Sequence, residues 1–210
     1  MRLVILKVEN FIYEYRLKNI FQNVNFYFED CQLNFILGEN GIGKTTILDC
    51  IANVDEAKDD SFLGFPNNWE IAYLAQENGF NVGLTASEII CFVKQLEGNV
   101  QLEVPNIIEE ILHFKFIDLT IEERKLLLIY LNTMVDRELY LFDDPEKYLR
   151  LSYSQMVFEW LRQLVDLGKT VIVATNRLDN IFDTDNVNYI KNNQEVLADS
   201  YLKIKGRMAF

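Results

Sequence analysis

Gly38-Glu39-Asn40-Gly41-Ile42-Gly43-Lys44-Thr45 matches the phosphate-binding pattern G-x-x-x-x-G-K-[ST] at every fixed position. The chain has nine glycines, and Gly38, Gly41 and Gly43 all fall inside this stretch, so the match does not reflect a generally glycine-rich composition. The apolar run Leu33-Asn34-Phe35-Ile36-Leu37 before it predicts a buried strand. Thr46-Ile47-Leu48-Asp49-Cys50-Ile51 after it predicts a helix. A strand–loop–helix setting is what gives the pattern physical meaning. Glycines let successive backbone N–H groups turn inward around phosphate oxygens, and the helix N-terminus adds partial positive charge. Gly38, Asn40, Gly41, Ile42, Gly43 and Thr46 are the candidate cradle, Lys44 reaches the β- and γ-phosphates, and the Thr45 hydroxyl ligates Mg²⁺. These residues imply a site for a nucleoside triphosphate, ATP with Mg²⁺.

The 210 residues suit one large domain or a domain with an inserted lobe. Half of them are hydrophobic and 13% aromatic, ample for a packed core. The net charge of −12 argues against nucleic acid as a partner, and positive charge must be concentrated around Lys44. Cys31, Cys50 and Cys91 are widely spaced without a CxxC pair, which predicts reduced core or boundary residues of a cytosolic protein. No stretch approaches the ~18 apolar residues of a membrane span, and the Met1-Arg2 start shows no secretory pattern. The expectation is therefore a cytoplasmic chain that reaches a membrane, if at all, through a partner.

Leu3–Val8 predicts an opening strand, and Val24–Phe28 alternates as a half-buried one. Ile71–Leu74 predicts a further strand ending at Ala75-Gln76-Glu77-Asn78-Gly79. The pattern then turns helical. Thr85-Ala86-Ser87-Glu88 reads as a capped start, Pro105 opens a helix bearing Ile107, Ile108, Ile111 and Leu112, and a third helix runs from about Glu122 through Leu131. Leu139–Phe142 predicts a buried strand, residues 153–166 an amphipathic helix, and Thr170–Thr175 another strand. The expectation is an α/β fold with a nucleotide-binding core at about 1–83 and 137–210, and a helical subdomain inserted at about 84–136.

The strand Leu139–Phe142 ends in Asp143-Asp144-Pro145. A carboxylate at the end of a strand beside a phosphate loop can hold Mg²⁺ through its water shell, and a second acid can orient the attacking water. With these motifs the chain resembles the ATPase domain of ATP-binding cassette (ABC) proteins over nearly its whole length. The resemblance implies a P-loop NTPase fold of ABC-ATPase type, with an N-terminal antiparallel β part, an inserted helical subdomain and a closing hairpin over 187–199. It implies that Gln76 touches Mg²⁺ and the attacking water, that Asp143 joins Thr45 and Gln76 at the metal, and that Asp144 is the catalytic base. It also implies an aromatic ring stacked on adenine. Counting back from Ile20–Phe26 places Tyr15 there, with Tyr13 and Phe11 on the same face of an extended segment.

Four positions depart from the family pattern. Counting back from Asp143 to the L-S-G-G-Q signature reaches Leu119-Thr120-Ile121-Glu122-Glu123, where only Leu119 is kept and Thr120 replaces the serine. In the family this segment grips the other protomer's γ-phosphate across a head-to-tail dimer. Ile121 puts a branched side chain where glycine permits close approach. Glu122 and Glu123 suit a helix N-terminus, yet facing a triphosphate they would oppose closure. Leu151–Gln155 looks closer to the signature but lies after the aspartates, and predicts part of a helix. Asp144 stands where glutamate is usual. Asn176 stands where a γ-phosphate-contacting histidine is usual, and it can donate a hydrogen bond but carry no charge. Arg150 stands where an aspartate is usual. His113, the only histidine, is expected to pack in the helical lobe.

The resemblance thus implies an ATP-binding subunit that powers or gates a separate membrane-spanning transporter subunit. It would act with a second ABC ATPase subunit as a homodimer or heterodimer, on the inner face of the cell membrane, with weak intrinsic hydrolysis. The rival is a soluble, non-transport ABC ATPase in which ATP binding regulates a protein assembly.

Overall fold

Three strands read from apolar runs lie at the centre of the main sheet. In the computed structural model, which describes residues 5–53, 60–76, 83–97 and 104–208, β3 (Leu33–Leu37), β6 (Leu139–Asp143) and β7 (Thr170–Thr175) are buried at every residue. Parallel strands covered on both faces read as continuous apolar segments for this reason. With β5 (Ile71–Leu74), β8 (Asn186–Asn192) and β9 (Glu195–Ser200) they form a six-stranded sheet ordered β5-β6-β7-β3-β8-β9. Its pairs are parallel except the closing β8–β9 hairpin, which is antiparallel.

Alternation along the strands sorts the core into two layers. Phe35, Tyr140, Phe142, Val171 and Val173 pack on one face with the helices α4 (Ile121–Met134) and α5 (Leu151–Asp166). Ile36, Leu139, Leu141, Ile172 and Ala174 pack on the other with α1 (Lys44–Ala52) and a second sheet. That sheet is antiparallel, with order β2-β1-β4, from β1 (Ile5–Tyr15), β2 (Lys18–Glu29) and β4 (Phe62–Leu63).

Buried asparagines join the two sheets. Asn188 accepts from the Tyr27 N–H at 2.9 Å and donates to the Tyr27 carbonyl at 2.8 Å, while Asn186 donates to the same carbonyl and to Asn34 Oδ1. Asn34 in turn accepts from the Glu29 N–H at 2.7 Å. Replacing Asn188 by alanine leaves the Tyr27 N–H without this acceptor, while the Tyr27 carbonyl keeps its bond from Asn186. A loss of about 1–3 kcal/mol is expected in urea unfolding, the usual cost of an unsatisfied buried polar group.

The expected opening strand at Leu3–Val8 is longer: β1 runs to Tyr15, while Leu3 and Val4 lie outside the described residues. Its extension follows from pairing with β2 in a hairpin whose register shifts after Val8, Phe11 and Tyr13, with Asn10 and Asn23 in left-handed conformations (φ 55 and 58). Glu77, Asn78 and Gly79 also lie outside the described residues.

Between β5 and β6 the described elements are α2 (Ala86–Glu97), the single turn α3 (Asn106–Glu109), a 3₁₀ turn at Phe116–Asp118 and α4. Thr85 and Glu88 cap α2 reciprocally, as the sequence predicts. The helix opened by Pro105 ends after one turn because the Leu112 and Phe114 carbonyls accept from Ser87 and Ala86 N–H at the start of α2. His113 is exposed in that turn rather than packed, and Cys91 is exposed on α2 rather than at a core boundary.

Candidate nucleotide site

The C-terminal ends of β3, β6 and β7 open onto a cavity of about 470 Å³. After β3 the chain turns through Gly41 and Gly43 in left-handed conformations (φ 77 and 117). A Cβ on Gly43 would lie 2.7 Å from Phe21 Cζ and 2.9 Å from Ile20 Cγ2, so glycine is needed there for space as well as for φ. Helix α1 starts at the next residue. Ile47 N–H bonds the Gly43 carbonyl, so the N–H groups of Lys44, Thr45 and Thr46 precede the first intrahelical bond and face no carbonyl of their own helix.

Lys44 is buried, and its Nζ donates to the carbonyls of Gly38 at 2.9 Å and Glu39 at 3.0 Å. Burial pushes its pKa down, opposed by the charges of Asp144, Asp143 and Glu146. Thr45 Oγ1 donates to Asp143 Oδ2 at 2.7 Å, joining the loop to the end of β6. Burial pushes the Asp143 carboxyl up, with the Thr45 bond opposing the shift. A hydroxyl and a carboxylate oxygen in contact fit Mg²⁺, which takes one or two protein oxygens and completes its shell with waters and phosphate. No cluster of three or more His, Cys, Asp or Glu suited to a denser metal site occurs among the described residues.

Asp144 adopts φ 43, its N–H donates to the Ala174 carbonyl at 2.9 Å, and its Oδ2 accepts from Gln76 Nε2 at 3.0 Å. Asn176 Nδ2 donates to Asn40 Oδ1 at 2.9 Å across the cavity mouth. The structure thus gathers Asn40, Gly41, Gly43, Lys44, Thr45 and Thr46 around one cavity with Gln76, Asp143, Asp144 and Asn176. Gly38 and Ile42 are not among its lining residues. Tyr15 also lies outside it, half-exposed at the hairpin tip with the Arg16 guanidinium 5.2 Å from its ring centroid. Phe11 is buried in the core and Tyr13 packs against it, so the three rings do not share one environment.

Sequence reasoning missed Ile20, Glu146, Lys147 and Arg177, all of which line the cavity. Arg177 puts a cation next to Asn176, although its guanidinium also pairs with Asp179 at 3.1 Å. Ile20 is turned by the register shift after Tyr13, which no sequence pattern announces. Glu146 extends the acidic run Asp143-Asp144-Pro145-Glu146, and that extension is the signal in the sequence that points to it.

The departures from the family pattern also find partners. Thr120 caps α4 in a reciprocal box with Glu123, whose carboxylate accepts from the Thr120 N–H at 2.8 Å. Glu122 accepts from the Arg150 N–H at 2.8 Å and lies 3.6 Å from its Nε. Both carboxylates expected to face a triphosphate are therefore engaged within the chain, and two unusual residues, Glu122 and Arg150, answer each other. Leu151–Gln155 forms the first turn of α5, as expected.

A family model described as an AAA domain matches residues 12–54. An energy-coupling factor transporter ATP-binding protein of Thermotoga maritima is 25% identical over 189 residues, covering 82% of this chain and 73% of that protein. An uncharacterised ABC transporter ATP-binding protein of Methanocaldococcus jannaschii is 23% identical, covering 84% and 70%. Among solved structures, an ATP-binding subunit of an ABC transporter superposes with a TM-score of 0.76 at 15% identity, covering 97% of this chain and 93% of the other. The chain has an ATP-binding cassette fold. Another structure, the ADP conformation of an ATP-binding cassette of an ABC transporter, superposes with a TM-score of 0.72 at 15% identity, again over 97% and 93%. Within this fold, Lys44, Thr45 and Asp143 converge on one cavity, while Ile121 is exposed at the start of α4.

Proposed function

We propose that this chain is the ATP-binding and hydrolysing subunit of an ABC transporter, powering or gating a separate membrane-spanning subunit and pairing with a second ATPase subunit. The observation that carries the reading is the 2.7 Å contact of Thr45 with Asp143, which unites the phosphate loop and the strand-end acid beside Lys44. No helix among the described residues is long and apolar enough to cross a membrane. In this reading the chain works on the inner face of the cell membrane through that separate subunit.

In the proposed mechanism the free N–H groups at the start of α1 bind phosphate oxygens. The Lys44 ammonium leaves the Gly38 and Glu39 carbonyls for the β- and γ-phosphates. Thr45 and Asp143, with Gln76, would hold Mg²⁺, which when bound neutralises charge on the phosphates. Gln76 steadies Asp144, whose carboxylate accepts a proton from the attacking water. Asn176 donates to the γ-phosphate without adding charge. Shorter reach at Asp144 and an uncharged Asn176 predict slow turnover.

The second reading is a soluble ABC ATPase in which ATP occupancy regulates a protein assembly. It is favoured by the segment Thr120–Glu123, which lacks glycine and whose carboxylates are tied up within the chain. Titration calorimetry with ATP, with and without Mg²⁺, tests the common core of both. Saturable heat and a raised melting temperature are expected with MgATP, and the absence of both at millimolar ligand would sink the assignment. Co-purification of a polytopic membrane protein from native membranes would then separate the two readings.

A further inference from the structure

Glu146 is only 2% exposed, yet it lines the nucleotide cavity. The Thr175 hydroxyl, at the end of β7, donates to its Oε1. The same hydroxyl accepts from the Arg177 N–H at 2.9 Å. A hydroxyl has one proton, so spending it on Glu146 leaves a lone pair directed at Arg177. The turn at 175–177 is therefore set by a short chain of bonds from Arg177 N–H through Thr175 to Glu146. That turn carries Asn176 and Arg177, both at the cavity wall.

The other carboxylate oxygen, Oε2, is buried and has no partner among the described residues. Lys125 of α4 is itself buried, and burial pushes its pKa down, opposed by the charges of Glu146, Asp143 and Asp144. Glu146 thus links the acid-bearing turn to the end of β7, with the charge of buried Lys125 on α4 close enough to be felt. A packing role alone would be served better by an apolar side chain, since a buried carboxylate oxygen without a donor is costly.

We propose that Glu146 is a positioning residue for γ-phosphate selection. Through the Thr175 hydroxyl it fixes the turn that presents Asn176 and Arg177, and so sets how well the site distinguishes a triphosphate from a diphosphate. The inference rests on the nucleotide-binding reading above and adds a residue to it.

Fluorescent ATP and ADP analogues, titrated with Mg²⁺ into wild type, Thr175→Val, Glu146→Leu and Glu146→Gln, provide the test. The ratio of ADP to ATP dissociation constants is expected to fall by about three- to tenfold in Thr175→Val and Glu146→Leu, the size of one lost hydrogen bond. Glu146→Gln keeps an oxygen acceptor for Thr175 and should retain the wild-type ratio. An unchanged ratio in Thr175→Val, or a Glu146→Gln as impaired as Glu146→Leu, overturns the proposal. If Glu146→Leu does not fold, Thr175→Val decides alone. Equal wild-type affinity for both nucleotides also overturns it, whereas binding of neither defeats the nucleotide reading itself.

Discussion

Lys44→Ala is expected to weaken MgATP binding by about thirtyfold to several thousandfold, corresponding to the ~2–5 kcal/mol lost when one member of a buried charged contact is truncated. The side chain is buried against the loop it serves, with its ammonium on the Gly38 and Glu39 carbonyls. Two neutral carbonyls satisfy its hydrogen bonds without neutralising its charge, which is why burial pushes its pKa down despite three nearby acids. A triphosphate supplies the missing counter-charge. Alanine removes that attraction and frees the two carbonyls, so the loss should appear mainly in nucleotide affinity, measured by calorimetry. The melting temperature without nucleotide serves as the control for folding. Near-wild-type affinity in the variant would remove the central assignment.

Asp144→Glu is expected to raise the rate of phosphate release, by up to ~10²-fold if the aspartate leaves the attacking water about 1 Å from its productive position. Asp144 is not loosely held: its main chain is fixed to Ala174 and its Oδ2 to Gln76. Its left-handed backbone (φ 43) fixes the direction in which the side chain leaves the turn, so reach is set by side-chain length alone. Glutamate adds the one methylene that the turn cannot supply by rotating. A single-turnover assay with excess enzyme isolates the chemical step. No gain in rate would shift the defect to the start of α4, where Ile121 is exposed and Glu122 and Glu123 are already engaged.

The parts of the site that follow from local covalent pattern were legible in the chain. Gly43, Lys44 and Thr45 are contiguous, and their geometry is dictated by one strand, one loop and one helix start. The strands Leu33–Leu37 and Thr170–Thr175 are found where the apolar runs place them, because burial on both faces favours a continuous apolar segment, and Ile71–Leu74 is found there as a half-buried edge strand. Asn34 is the instructive exception. It sits inside β3 yet is fully buried, and its amide is used up joining the two sheets. The apolar spacing after Pro105 predicts a longer helix than the single turn observed, because the segment beyond it bonds the start of α2 through the Leu112 and Phe114 carbonyls, a contact that no periodicity reports.

The linear order of residues settled which chemistry was available: a glycine-turned loop with a lysine and a threonine, an apolar strand closing on two aspartates, and an asparagine in place of a charged group. Those features depend on neighbours within a few bonds along the chain. Only the folded arrangement decided that Glu146 is sealed in beside the cavity, that Glu122 meets Arg150, that Tyr15 stands out at a hairpin tip, and that Ile20 lies against Gly43. Each of these turns on contacts between segments distant in sequence or on a shift of strand register. Their energies come from desolvation and pairing in three dimensions, which residue order alone does not encode in any readable period.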